Sequence, residues 1–218
     1  MKKLIIAITS AFTLFATSAM SMDLRPTVGI SGNIAAYSAL GQEDNYNEGG
    51  TAIDETAKVS GAFATEYASI FVEASLNDVV SIGLDYVPQD FETPQNVSQE
   101  DQSNEKKVSA RFDDLTTIYA KLNVPLGGTY LKVGYSEVDI TPRTNGGSGN
   151  TYGNASTSGY TVGLGYDHEV SDGLSVRMEV TASEFDDVKV NNGQTNKNEI
   201  TVKDIWGARG TLSIVKSF

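Results

Sequence analysis

Apolar and polar residues alternate with a period of two along much of the chain. Val28, Ile30 and Ile34 alternate with Gly29, Ser31 and Asn33. Ile70 and Val72 alternate with Ser69, Phe71 and Glu73, and Val80, Ile82, Leu84 and Tyr86 with Ser81, Gly83 and Asp85. The pattern returns at Ile118, Ala120, Leu122 and Val124, then at Leu131, Val133 and Tyr135, and again at Tyr160, Val162, Leu164 and Tyr166. It recurs at Leu174, Val176, Met178 and Val180, and last at Trp206, Leu212, Ile214 and Phe218. Successive side chains of a strand point to opposite faces, so this spacing predicts about eight strands, each apolar on one face and polar on the other.

The predicted connections have two lengths, and these alternate. Asn77-Asp78, Pro125 to Gly128 and Ser171-Asp172-Gly173 are short and carry turn residues. Gln42 to Ala57, Pro88 to Lys107, Pro142 to Ser158 and Asp186 to Asn198 are long and polar. Short turns at one rim and long loops at the other describe an up-and-down meander.

The polar face decides what surrounds the apolar one. Glu73, Asp85, Lys121, Lys132, Arg177, Glu179 and Arg209 share it with Gly29, Gly83, Gly134, Gly163 and Gly165. A water-soluble barrel or sandwich turns its apolar face inward, which leaves these charges outside and needs a core the glycine-rich face does not complement. Lipid around the apolar face removes the conflict. In lipid an open sheet edge leaves backbone groups unsatisfied at several kcal/mol each, so the last strand must pair with the first, around Thr27 to Tyr37. The prediction is an all-β, eight-stranded, antiparallel, up-and-down transmembrane β-barrel over residues 22–218, with a narrow lumen filled by side chains. Arg209 is expected to meet Glu179 or, across the lumen, Glu73 or Asp85. The inward charges suit a closed salt-bridge network or a constriction that selects ions; eight strands leave no open aqueous channel, which favours the network.

The first residues, MKKLIIAITSAFTLFATSAMSM, change the picture of where this barrel sits. Lys2 and Lys3 precede an apolar core from Leu4 to Ala16, and small residues follow at Ala19 and Ser21. That is the layout of a secretory signal peptide, assigned to residues 1–21; its core is shorter than the roughly 20 residues of a spanning helix. Beyond it, 14 basic residues stand against 28 acidic ones. Nucleic acid is disfavoured as a partner, because phosphate contact needs clustered Lys and Arg. There is no cysteine, so packing and backbone pairing must hold the fold.

Candidate chemistry is sparse. His168 is the sole histidine and lies beside the Ser171-Asp172-Gly173 turn, with no companion ligand at metal spacing. No metal, no cofactor and no enzymatic activity are implied. Glu43, Asp44, Glu48, Asp54 and Glu55 in the first long connection, and Asp90, Glu92, Glu100, Asp101 and Glu105 in the second, match no defined calcium loop; solvated surface is expected. Tyr37, Tyr67, Tyr86, Phe112, Tyr135, Tyr160, Phe185, Trp206 and Phe218 lie near strand ends and are expected to form the aromatic girdles at the water–lipid boundaries.

The closing stretch LSIVKSF, with Leu212, Ile214 and Phe218 on one face, resembles the C-terminal assembly signal of Gram-negative outer-membrane proteins. Lys216 departs from it by standing where an apolar residue is usual. Tyr67 to Pro88 is similar to the hairpin of small OmpA-, OmpW- and OmpX-like barrels. The resemblance implies location in the outer membrane, with outer-membrane lipids, lipopolysaccharide and the barrel-assembly machinery as partners; it leaves the oligomeric state open. It implies a structural or surface-interaction role carried by mobile acidic loops, or alternatively a narrow porin-like channel for ions or small polar solutes. An OmpW-like conduit for apolar compounds would need an apolar lumen or a lateral opening, and the polar inward face argues against it.

Overall fold

The computed structural model describes residues 24–47, 49–94, 96–101, 104–145, 152–193 and 198–218. The signal segment assigned to residues 1–21 lies outside them. The strands are β1 (Arg25–Tyr46), β2 (Ile53–Ser75), β3 (Val80–Tyr86), β4 (Phe91–Glu92), β5 (Asn96–Asp101), β6 (Asn104–Asn123), β7 (Thr129–Asn145), β8 (Ala155–Ser171), β9 (Leu174–Phe185), β10 (Val188–Asn191) and β11 (Asn198–Ser217). Eight of them form an antiparallel ring in the order β1-β2-β3-β6-β7-β8-β9-β11, and β11 closes it on β1. The short β4 and β5 pair with β6, and β10 with β11.

Closure carries a stagger. From Val28 the register runs through Val72, Leu84, Ile118, Tyr135, Tyr160, Glu184 and Trp206, and returns to β1 at Ser38, ten positions beyond Val28. Such a shift tilts the strands against the axis and, with eight strands, leaves an interior just wide enough for side chains.

The two faces sort as the alternation requires. Ile30, Ile34, Ile118, Val133, Leu164, Val180, Leu212 and Ile214 are exposed around the outside. A continuous apolar belt of this kind marks a surface made for lipid. Tyr135 and Tyr160, packed edge to face with centroids 5.5 Å apart, and Trp206 stand at its upper border. Phe218 is 71% exposed at the lower border, where its N–H donates to the Pro26 carbonyl oxygen (3.0 Å).

The expected girdle is only partly outside. Tyr67 and Phe185 are buried in the interior, and Tyr37 and Phe112 pack against the same cluster. Tyr86 pairs with the outward-facing Ile70 and is covered there, its hydroxyl donating to Asp114 Oδ1 (2.7 Å). For Phe112 the cause is a bulge: the β6–β7 register shifts between Asp113 and Thr116, and Asp114 has φ 55°. An extra residue reverses the in–out phase of everything beyond it. For Tyr37, Tyr67 and Phe185, the position near a strand end was right and the face was wrong.

The long connections are also more regular than expected. β1 runs on to Tyr46 and β2 starts at Ile53, so much of Gln42 to Ala57 is a paired hairpin rather than a loop. β5 and β6 pair within Pro88 to Lys107, and β10 lies within Asp186 to Asn198. A strand pair satisfies its backbone in water as it does in lipid. Once both faces meet water, however, the alternation that betrays a strand is no longer required.

The outward face gives a direct test. Val133→Arg is expected to destabilise the barrel by about 2–4 kcal/mol, the cost of a cation near the mid-plane. Equilibrium unfolding from lipid vesicles measures it; an unchanged midpoint would contradict the assignment of this face to lipid.

Candidate functional site

The lumen is built in three layers. The lowest is ionic. Arg177 on β9 faces Asp167 on β8 in the register and grips it with two bonds, Nε to Oδ1 (2.6 Å) and Nη2 to Oδ2 (3.1 Å). Its Nη1 donates to Glu73 Oε2 (3.0 Å), on the far wall. Lys121 Nζ lies 2.8 Å from the other Glu73 oxygen and 3.1 Å from Asp167. The Tyr119 hydroxyl also donates to Glu73 (3.1 Å). Glu73 and Arg177 side chains are only 1% and 5% exposed. Two charges this deeply buried persist only when each has opposite charges and hydrogen bonds around it.

A second group sits beside the first. Lys132 Nζ donates to Glu179 Oε1 (3.0 Å), and the Tyr130 hydroxyl donates to Oε2 (2.8 Å). Lys121 and Lys132 are direct cross-strand partners; like charges in that position repel, and here each turns to a different carboxylate. Arg209, from β11, joins Asp85 to this second group, 3.8 Å from Asp85 and 3.7 Å from Glu179. These are ion-pair distances, longer than the bonds of Arg177. The cluster thus sets Glu73, Asp85, Asp167 and Glu179 against Lys121, Lys132, Arg177 and Arg209. It brings together all seven charged residues read from the sequence, and its formal charge is zero.

Glycines make room for it. Gly29 is paired with Phe71, Gly83 with Tyr119 and Gly165 with Tyr130. A Cβ at any of the three would collide with the ring opposite. The rings cover the bare backbone of the glycines and wall the cations: Arg177 lies over Phe71 (4.9 Å) and Lys132 over Tyr119 (4.1 Å). Such contacts add cation–π attraction where water is excluded.

Above the ions runs a belt of hydroxyls. Thr117, Ser136, Thr161 and Ser183, on β6, β7, β8 and β9, are linked by hydrogen bonds of 2.8, 3.0 and 2.8 Å. With Arg209 they line a cavity of about 10 Å³, room for about one water.

The top layer is apolar. Tyr37, Phe63, Tyr67, Phe91 and Phe112 stack in near-parallel planes, with centroids 5.2–6.0 Å apart. Val87, Leu115, Val138 and Phe185 complete the cluster. The inward face is therefore polar in its lower and middle parts and apolar at the mouth, which corrects the expectation of a polar face throughout.

Three members of the ionic layer were not singled out in the sequence. Asp167, Tyr119 and Tyr130 were legible by phase, since Asp167 follows Gly163 and Gly165, and the tyrosines share the faces of Lys121 and Lys132. Phe91 sits in a two-residue strand after Pro88 and has no periodicity around it to reveal its direction. His168 lies on the outward face of β8 and stacks on Tyr166 (6.3 Å). Among the described residues no group of three or more His, Asp or Glu side chains is arranged to hold a metal ion.

Arg177, with its short bonds to two carboxylates, holds the layer together more firmly than Arg209. Arg177→Ala is expected to cost about 3–5 kcal/mol, the penalty of stranding a buried partner. Arg209→Ala should cost less. Gly165→Ala should destabilise by about 1–3 kcal/mol, because the Tyr130 ring must shift. Denaturant unfolding of the three variants checks the ranking, and a larger loss for Arg209→Ala than for Arg177→Ala would overturn it.

Comparison with known proteins places this architecture. No curated protein sequence matches the chain. By structure it is similar to the outer membrane protein OprG of Pseudomonas aeruginosa, with a TM-score of 0.53 at 15% identity over 87% of this chain and 95% of that one. It is similar at a TM-score of 0.47 and 13% identity to the outer membrane protein AlkL in DMPC bilayers, covering 88% of this chain and 90% of that one. The outer membrane protease OmpT of Escherichia coli follows at 0.44 and 9%, covering 88% and 97%. The family model of the outer membrane protein beta-barrel domain matches residues 7–203. The chain belongs to that family of Gram-negative outer-membrane β-barrels and resides in the cell outer membrane.

Proposed function

We propose that this protein is a sealed barrel whose work is done at the cell surface, by the strands that rise beyond the bilayer, and not a channel. The observation that carries the reading is the pair of stacked seals. The ionic layer is neutral and its polar ends are paired, so an ion entering it must displace a built contact. The aromatic layer above offers an ion ring faces and the mutually bonded hydroxyls of Tyr37 and Tyr67 (3.2 Å), too little to replace its hydration. A water-sized void lies between. The barrel is then a membrane anchor and stalk, with β1, β2, β5, β6, β10 and β11 presenting paired strands outside. The reading assigns no catalysis to the chain: His168 is outward and beside the turn opposite the long connections. Outer-membrane lipids and lipopolysaccharide surround the belt in this reading, and the barrel-assembly machinery receives the face of Leu212, Ile214 and Phe218.

Single-channel recording on refolded protein in planar bilayers tests the seals. The wild type should be silent. Arg209→Ala should also be silent, because a seal remains on each side of it. The triple change Glu73→Ala, Arg177→Ala, Phe91→Ala should conduct. Steady, ion-selective conductance by the wild type would transfer the function to the porin-like alternative.

A further inference from the structure

The ring of backbone pairing is complete only in its lower part. β2 pairs with β1 along its whole length, from Ser75 to Ile53. On its other side it pairs with β3 only from Ile70 to Ser75. Beyond Tyr86 the chain leaves β2 and follows β6 instead: the Val87 N–H donates to the Leu115 carbonyl oxygen (2.9 Å), and β4 and β5 take partners on β6. Pro88 stands at the divergence, without an N–H to offer. From Ser69 upward, the second edge of β2 therefore has no backbone partner among the described residues. Phe63 and Tyr67 on this stretch still pack into the aromatic layer. Above them, every residue from Ile53 to Ala62 is exposed, whichever way it points.

A long, flat, uncovered edge is a template for another strand, and proteins ordinarily shorten or cover such edges. The strands outside the ring are short: β4, β5 and β10 have two, six and four residues. The ten residues from Ile53 to Ala62 span roughly 33 Å at about 3.3 Å each. We propose that this edge receives an extended, basic segment of another protein as an added strand. The main chain of β2 would provide the hydrogen bonds, and its carboxylates the selectivity.

Two other occupants are disfavoured by geometry. A second copy in the same membrane is related by an axis along the membrane normal. Strands tilted by about 35–45° would then cross at roughly twice that angle instead of running side by side. The neighbouring segments of this chain, β4 and β5, follow β6 and share no ladder with β2 among the described residues. The basic character of the partner follows from charge. Asp54 and Glu55 lie exposed on the open stretch with a single cation, Lys58. Asp54 is the extra residue of a bulge, between Ile53, which pairs with Tyr46, and Glu55, which pairs with Asn45, and both carboxylates are exposed to an incoming strand. Gly61 and Ala62 at the lower end present no bulk to obstruct approach.

The inference rests on the surface-interaction reading and names the partner class for it; conductance tests that reading, and binding tests this one. The probe is a ten-residue peptide of alternating lysine and valine, titrated calorimetrically against the protein in zwitterionic nanodiscs, with empty nanodiscs as the blank. Saturable binding is expected. Methylating alternate backbone nitrogens of the peptide should weaken it by about tenfold or more, a difference of about 1.4 kcal/mol. The double change Asp54→Lys, Glu55→Lys should weaken it comparably, while heat-modifiable gel mobility shows the variant folded. No binding, or binding indifferent to methylation, would overturn the proposal, the latter by reducing it to adsorption on an acidic surface. A peptide with glutamate in place of lysine that binds as well would overturn the charge assignment.

Discussion

Every N–H and C=O that crosses the bilayer must find its partner within the protein, because hydrocarbon offers none. That constraint dictates the join of β11 to β1, which runs from Thr27 with Ser217 up to Asn45 with Asn198. With eight strands and a stagger of ten residues the cylinder is narrow, and everything inside it follows from that narrowness. There is room for one ring opposite one glycine, as at Phe71 and Gly29, but not for two rings. There is room for ions only if they are in contact. The balance of four carboxylates against four cations is the condition for keeping charge in so small a space without water.

The same constraint relaxes outside the membrane, and the structure changes character there. Pairing becomes optional, since water can satisfy a free edge. β2 loses one neighbour, β4 shrinks to two residues, and the register slips near Ser38 and Asn45. The interior changes too. Near the mouth, stacked aromatics replace ions, and the cluster they form resembles the core of a soluble domain.

Much of the barrel was legible in the sequence because lipid and lumen impose a strict period of two. Ile30, Val133, Leu164 and Ile214 were placed outside and Glu73, Arg177 and Glu179 inside from that period alone. The seven inward charges were recoverable for the same reason; the identity of their partners was not. The sequence predicts Glu179 as a partner of Arg209 because their strands are adjacent. The tighter role belongs to Arg177, which needs Asp167 from the adjacent strand and Glu73 from across the lumen, a contact that depends on the stagger. Where the period fails, so did the reading. A one-residue bulge at Asp114 turned Phe112 from lipid to lumen, and Phe91 lies after a proline in a stretch with no alternation at all. The paired extensions of β1 and β2 read as loops because water on both faces leaves composition free.

Residues that meet in the lumen are far apart along the chain: the ion pair of Glu73 and Arg177 spans 104 positions, and the hydroxyl pair of Ser31 and Ser213 spans 182. Neither contact exists in a partly wound sheet. A half-assembled barrel would present unpaired carboxylates and ammonium groups toward lipid, so partial insertion is penalised at every stage before the last. Contacts this distant also make the search slow, since the loop must be closed before any pairing rewards it. The order of events that follows is late and cooperative. The strands gather where water still reaches the charges, and the seam between the two ends shuts as the ions meet and the water leaves.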